Sequence, residues 1–265
     1  MTFYAANFIY DGIPASQYGL RISSLSDSGS DHAGADVELI TQSIYRKPNV
    51  YLLGVKQSPI LSIPVTFTVN GELSSKQSAV ISRWLFGRDN YKKLQIVQDD
   101  MQYVYFNCML QNPTVIRVGN IIRGYNANIV CDSPFAWEFP KRISYTFDTY
   151  LLYENIDINN TSDVSDYIYP QIEIKTNQFG GYFSIINKSD NNRVFMINNL
   201  SPSKYYRIDN NMQSATRVDN GENCVPYMKD NGYKWFRYIK GLNKLTVVGN
   251  IDYLSFINHF PRKVS

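Results

Sequence analysis

Residues 61–69 read Leu-Ser-Ile-Pro-Val-Thr-Phe-Thr-Val, apolar at every odd position and Ser, Pro or Thr at every even one. A two-residue period places one set of side chains in a core and the other in water, so this stretch is a half-buried strand. Pro64 has no N–H to give, which calls for an edge position or a gap in the ladder. The same alternation recurs. Residues 94–97 and 103–106 flank a turn at 98–102. Residues 114–118 and 121–130 flank Gly119-Asn120, a dipeptide suited to a tight turn with positive φ. On the second arm Ile121, Arg123, Tyr125, Ala127, Ile129 and Cys131 are expected on one face. Further strands are expected near 171–174, 182–186, 193–197, 204–208, 244–248 and 253–257.

One segment reads as helix. Ser74 and Gln77 have capping-box spacing, and Val80, Ile81, Trp84 and Leu85 make an apolar stripe. Gly87 is placed to end the helix in a left-handed conformation. Two stretches read as loops. Residues 23–36 are small and polar, and the Asn- and Asp-rich run within 153–166 reads as a domain junction. The expected domains are therefore 1–150 and 151–265. They carry 13 basic and 12 acidic side chains, and 13 and 11, so neither has the charge of a nucleic-acid module.

Composition narrows the class. Aromatic residues make up 14% of the 265 residues, which excludes a disordered chain, and a net charge of +3 is too mild for a protein built to grip DNA. No apolar run reaches the roughly 18–20 residues that cross a bilayer. Met1 to Gly12 has no basic cluster or clean apolar segment, so no secretory signal is expected.

Chemistry is hard to find. Cys108, Cys131 and Cys224 form no close motif and read as small buried thiols, although a Cys108–Cys131 pairing stays open. His32 lies in the polar loop and His259 near the end of the sequence, half-buried between Phe256 and Phe260, and neither is held as a general base must be. No metal-ligand spacing or phosphate cradle occurs, so no cofactor or metal is expected. Asp27, Asp31 and Asp36 could gather a cation, but a solvated loop is the better reading. Carboxylates are plentiful, yet nothing pairs them for glycosidase chemistry. The second half is rich in aromatics, including Tyr205, Tyr206, Tyr227, Tyr233, Trp235, Phe236 and Tyr238. Such residues are core more often than sugar platforms; Tyr233 and Trp235 are the candidate weak carbohydrate contacts.

A resemblance goes further. Phe8-Ile9-Tyr10-Asp11-Gly12 with Ser16-Gln17-Tyr18-Gly19-Leu20 is similar to the opening of the distal tail (Dit) proteins of long-tailed bacteriophages. So, in order, are Leu53-Gly54-Val55, Trp84-Leu85-Phe86, residues 91–96, 103–110 and Cys131-Asp132-Ser133-Pro134-Phe135-Ala136-Trp137. In the second half Asn198-Asn199-Leu200, Tyr206-Arg207-Ile208-Asp209 and Gly241-Leu242-Asn243 with the strand after it resemble the family's C-terminal sandwich. The resemblance implies a mainly β fold: an N-terminal β-sandwich-like domain with one helix and a β-hairpin, then a galectin-like or carbohydrate-module-like β-sandwich. It implies a structural protein, not an enzyme, at the distal end of the virion tail. Copies would form a ring, usually a hexamer, between the tail tube protein and the tail-tip, baseplate or receptor-binding proteins. The tape-measure protein and DNA would pass through the channel, with Asp27, Asp31 and Asp36 channel-facing or mobile. A carbohydrate- or receptor-binding module of a phage tail or tail-like bacteriocin is the alternative.

Overall fold

The computed structural model describes residues 7–24, 37–148 and 151–263. The chain divides into two compact units. The first runs to Glu138 and takes in the chain again from Arg262, and the second is Phe139–Pro261. The division falls before the 150/151 position suggested by the polar run. The reason is hydrogen bonding: a strand at 141–146 pairs along its length with one at the far end of the second unit.

The first unit contains β1 (Phe8–Tyr10), β2 (Ile13–Pro14), β3 (Leu20–Ser24), β4 (Val37–Ser43), β5 (Val50–Gln57), β6 (Ser62–Leu73), α1 (Ser75–Phe86), β7 (Lys92–Ile96), β8 (Val104–Val118), β9 (Ile121–Cys131) and β10 (Phe135–Glu138). The main sheet runs β2-β1-β7-β8-β9-β6-β3. In a flat sheet β1 and β6, four neighbours apart, would be roughly 19 Å from each other. The rings of Phe8 on β1 and Phe67 on β6 are instead 5.0 Å apart. The sheet therefore folds over itself and encloses a core, which is how one sheet becomes sandwich-like.

Alternation decides what enters that core. Leu61, Ile63, Val65 and Phe67 are all buried. β3 pairs with β6 at residues 66–69, so among the described residues Pro64 has a ladder partner on the β9 side alone. β8 and β9 meet through Gly119-Asn120, with Gly119 at φ +62°. Tyr125, Ala127, Ile129 and Cys131 share the buried face as expected. A register shift pairs Arg117 with Ile122 and Ile116 with Gly124, which turns Ile122 inward in place of Ile121 and Arg123. Cys108 and Cys131 stand directly opposite one another on these strands as buried free thiols. Burial pushes the Cys131 thiol up to about 12, far from the thiolate that oxidation requires.

Helix α1 begins at the expected capping box: the Ser74 hydroxyl accepts from the Gln77 N–H, and the Ser74 N–H donates to Gln77 Oε1 at 3.0 Å. Ile81, Trp84 and Leu85 are buried. Trp84 stacks on Phe8 and donates to the Tyr10 carbonyl at 3.1 Å. Two expectations need correction. Val80 is exposed, because the buried stripe is narrower than the apolar one. Gly87 ends the helix at φ −90°, not in the left-handed region. Its place is set by space, since an added Cβ would lie 2.8 Å from the Arg83 carbonyl oxygen.

The second unit is a sandwich of two antiparallel sheets. Its strands are β11 (Lys141–Thr146), β12 (Leu152–Asn160), β13 (Gln171–Thr176), β14 (Gly181–Asn187), β15 (Arg193–Leu200), β16 (Tyr205–Asp209), β17 (Ser214–Arg217), β18 (Gly241–Gly249) and β19 (Ile251–Asn258). The sheets run β11-β19-β13-β16-β17 and β12-β18-β14-β15. Ile172, Ile174, Tyr206, Ile208, Leu254 and Phe256 face inward from the first, and Ile156, Ile158, Phe183, Ile185, Leu245 and Val247 from the second. The first half of the polar run is strand β12, paired with β18 from Leu152 to Asn160; Leu152, Ile156, Ile158 and Asn160 are buried, and Asn155, Asp157 and Asn159 are exposed between them. The final strand β20 (Pro261–Lys263) pairs with β10.

The Gly241-Leu242-Asn243 motif has a structural cause. Gly241 takes φ +85°, and Asn243, fully buried, accepts from the Ile239 N–H and donates to the Ile239 and Gly241 carbonyls. It also accepts from Asn187 at 2.9 Å. Asn243→Ala strands several buried polar groups at about 1–3 kcal/mol each, so a loss of about 2–4 kcal/mol is expected in the urea midpoint of the second unit.

Candidate assembly surface

Strands β4 and β5 form a two-stranded ribbon of their own, and neither pairs with another strand among the described residues. An isolated two-stranded hairpin is marginal in water, so such a ribbon needs a covering surface. Register sorts its side chains. Leu39 opposes Val55, Thr41 opposes Leu52 and Ser43 opposes Val50 on one face. Glu38 opposes Lys56, Ile40 opposes Gly54 and Gln42 opposes Tyr51 on the other, with Leu53 at a register shift. The second face is mostly polar. Glu38 and Lys56 approach to 3.8 Å, and the Lys47 ammonium lies 5.7 Å from the centre of the Tyr51 ring. On the first face Leu39, Val50, Leu52 and Val55 are each between 56% and 61% exposed. At the tip Tyr45 is 85% exposed beneath the Arg46 guanidinium. An apolar strip of this kind on a thin arm marks an interaction site.

The residues singled out from sequence fare differently. Asp27, Asp31, Asp36 and His32 lie outside the described residues. His259 is half-buried. Trp235 is 7% exposed and offers no free indole face to a sugar ring, whereas Tyr233 is 49% exposed on a backbone with φ +57°. The structure thus separates the two environments that the sequence grouped together. Among the described residues no cluster of His, Cys, Asp and Glu is arranged to hold a metal ion, and no helix is long and apolar enough to cross a membrane. A groove of about 400 Å³ lined by Tyr18, Arg21, Asn70 and Glu72 includes one carboxylate and neither histidine nor cysteine.

Several charges in the second unit are paired with one another. Glu173 accepts from Arg142 at 2.6 Å and Arg207 at 3.2 Å, which holds its carboxyl below the ordinary range. Asp219 is held at about 2 by hydrogen bonds from Arg217 and Lys204. In the unfolded chain these carboxyls take up protons near pH 4, and in the folded chain at lower pH. Their contribution to stability is therefore complete above about pH 5 and lost as the pH falls through the folded values. Asp219→Asn lowers the melting temperature of the second unit at pH 6, and its deficit against the parent chain closes as the pH falls from 4 towards 2.

Comparison with known proteins decides the family. A sequence profile described as a phage tail protein N-terminal domain matches residues 3–133, and one described as a phage tail C-terminal domain matches residues 135–257. The chain belongs to this family of phage tail proteins. Its fold is that of a distal tail protein. The crystal structure of SPP1 Dit, titled a paradigm of the hub adsorption apparatus in phages infecting Gram-positive bacteria, superposes with a TM-score of 0.70 at 12% identity, covering 96% of this chain and 98% of that one. A chain of the phage p2 baseplate in its activated conformation with Sr gives 0.56 at 12% identity, covering 95% and 97%. No curated protein sequence matches this tail protein.

Proposed function

We propose that this tail protein is the subunit of a ring, a hexamer by family resemblance, at the distal end of the tail tube. The observation that carries the reading is the unpaired β4–β5 arm with its apolar face in water. Fully burying a Leu or Val is worth roughly 1.5–3 kcal/mol, and a second copy of the chain would supply that burial at every contact around a closed ring. Heterologous contacts that close leave no arm uncovered, whereas contacts that fail to close run on into filaments. In this reading the ring joins the tube protein on one side and tail-tip, baseplate or receptor-binding proteins on the other, and the tape-measure protein and DNA pass through its centre. The protein makes and breaks no covalent bonds. The galectin-like second unit serves as an attachment platform. Gold-labelled antibody against the chain, applied to intact particles, would mark a single point at the tail end. Label along the tail or on the capsid would contradict the placement.

A further inference from the structure

We infer that β20, which the chain reaches only after the whole of the second unit, is the complement that closes the first unit. β6 begins at Ser62 opposite Val130, and Leu61 still accepts from the Cys131 N–H, but β6 reaches no further. The chain after Cys131 continues as β10, bonded to β8 through Trp137 with Tyr105 and Glu138 with Val104. The other side of β10 would be an open sheet edge, with a fully apolar neighbour, Ala136, and a carboxylate, Glu138, only 1% exposed. β20, arriving 124 residues later, fills that place. Arg262 Nε donates to Glu138 Oε1 at 2.7 Å, and the same guanidinium forms a second contact through Nη2.

Glu138 and Arg262 are also where the chain leaves the first unit and re-enters it. Their ion pair puts the two crossings side by side. The partner that the β10 edge fits is the chain's own segment Pro261–Lys263: a short strand whose cation meets a buried carboxylate. An open sheet edge is strongly disfavoured, so the first unit reaches its closed form only in a chain that runs on through β20. This inference does not depend on the ring.

The test is hydrogen exchange on the chain ended after Phe260. Amides at 104–105 and 135–138 are expected to exchange at least about 100-fold faster than in the full chain, while β13 and β19 keep their protection. A synthetic peptide of residues 258–265 added in excess restores the slow exchange, and the same peptide with Arg262→Ala does not. Should the shortened chain fail to fold, Arg262→Ala in the full chain gives at least about 10-fold faster exchange at the same amides, with Arg262→Lys intermediate. Unchanged exchange at 104–105 and 135–138, in the shortened chain or in Arg262→Ala, overturns the inference. So does a loss spread evenly over both units.

Discussion

A chain carrying Leu39→Asp and Leu52→Asp is expected to remain a 30.5 kDa monomer in light scattering at concentrations where the parent chain assembles into the proposed ring. Both residues lie on the apolar face of the β4–β5 arm, each more than half exposed. Removing two leucines from an interface costs about 3–6 kcal/mol in apolar burial alone, a factor of roughly 10²–10⁴ in each contact's association constant. Two carboxylates pressed into an apolar surface add to that cost. The substituted side chains are in water in the monomer, so the melting temperature of the first unit stays within about 2 °C of the parent. Gln42→Lys on the opposite, polar face is the control and leaves assembly intact. If the double variant assembles as well as the parent, the arm does not make the contact.

Gly124→Ala will destabilise the first unit by about 4 kcal/mol or more, among the largest effects a single methyl group can have. Gly124 lies opposite Thr68 where β6 begins to swing away from β9. A Cβ there would fall 1.9 Å from the Phe67 carbonyl oxygen and 3.0 Å from the Thr68 Cα, both backbone atoms that no rotamer change can move. The neighbouring Tyr125 anchors the strand through its hydroxyl to Ser78 on α1, so the clash cannot be relieved by sliding β9. The urea midpoint measures the effect, and a loss under about 1 kcal/mol would mean that the two backbones are freer than their spacing implies.

The sequence is most legible where one side of a strand is buried by its own chain. Leu61 to Val69 alternates because β6 has a core on one side and water on the other, and Ser74 with Gln77 announces a helix because capping chemistry is local. β12 was hidden because Asn and Asp fill its outward positions and outweigh Ile156 and Ile158 in any reading of average polarity. The β10–β20 pairing joins residues 124 apart, and no local pattern encodes such a partner. The arm was the least legible element. A register shift at Leu53 breaks its two-residue period, and its apolar residues are exposed, so no core within the chain marks one of its faces. Trp235 and Tyr233 stand two residues apart in sequence, yet only burial separates a core indole from a surface phenol.

Electron microscopy of the purified protein in negative stain tests the central claim most directly. The account predicts closed rings of uniform diameter with a stain-filled centre, lost in Leu39→Asp/Leu52→Asp and kept in Gln42→Lys. A field of separate compact particles of one chain each, unchanged at the highest concentration reached and in the presence of tail tube protein, would contradict it.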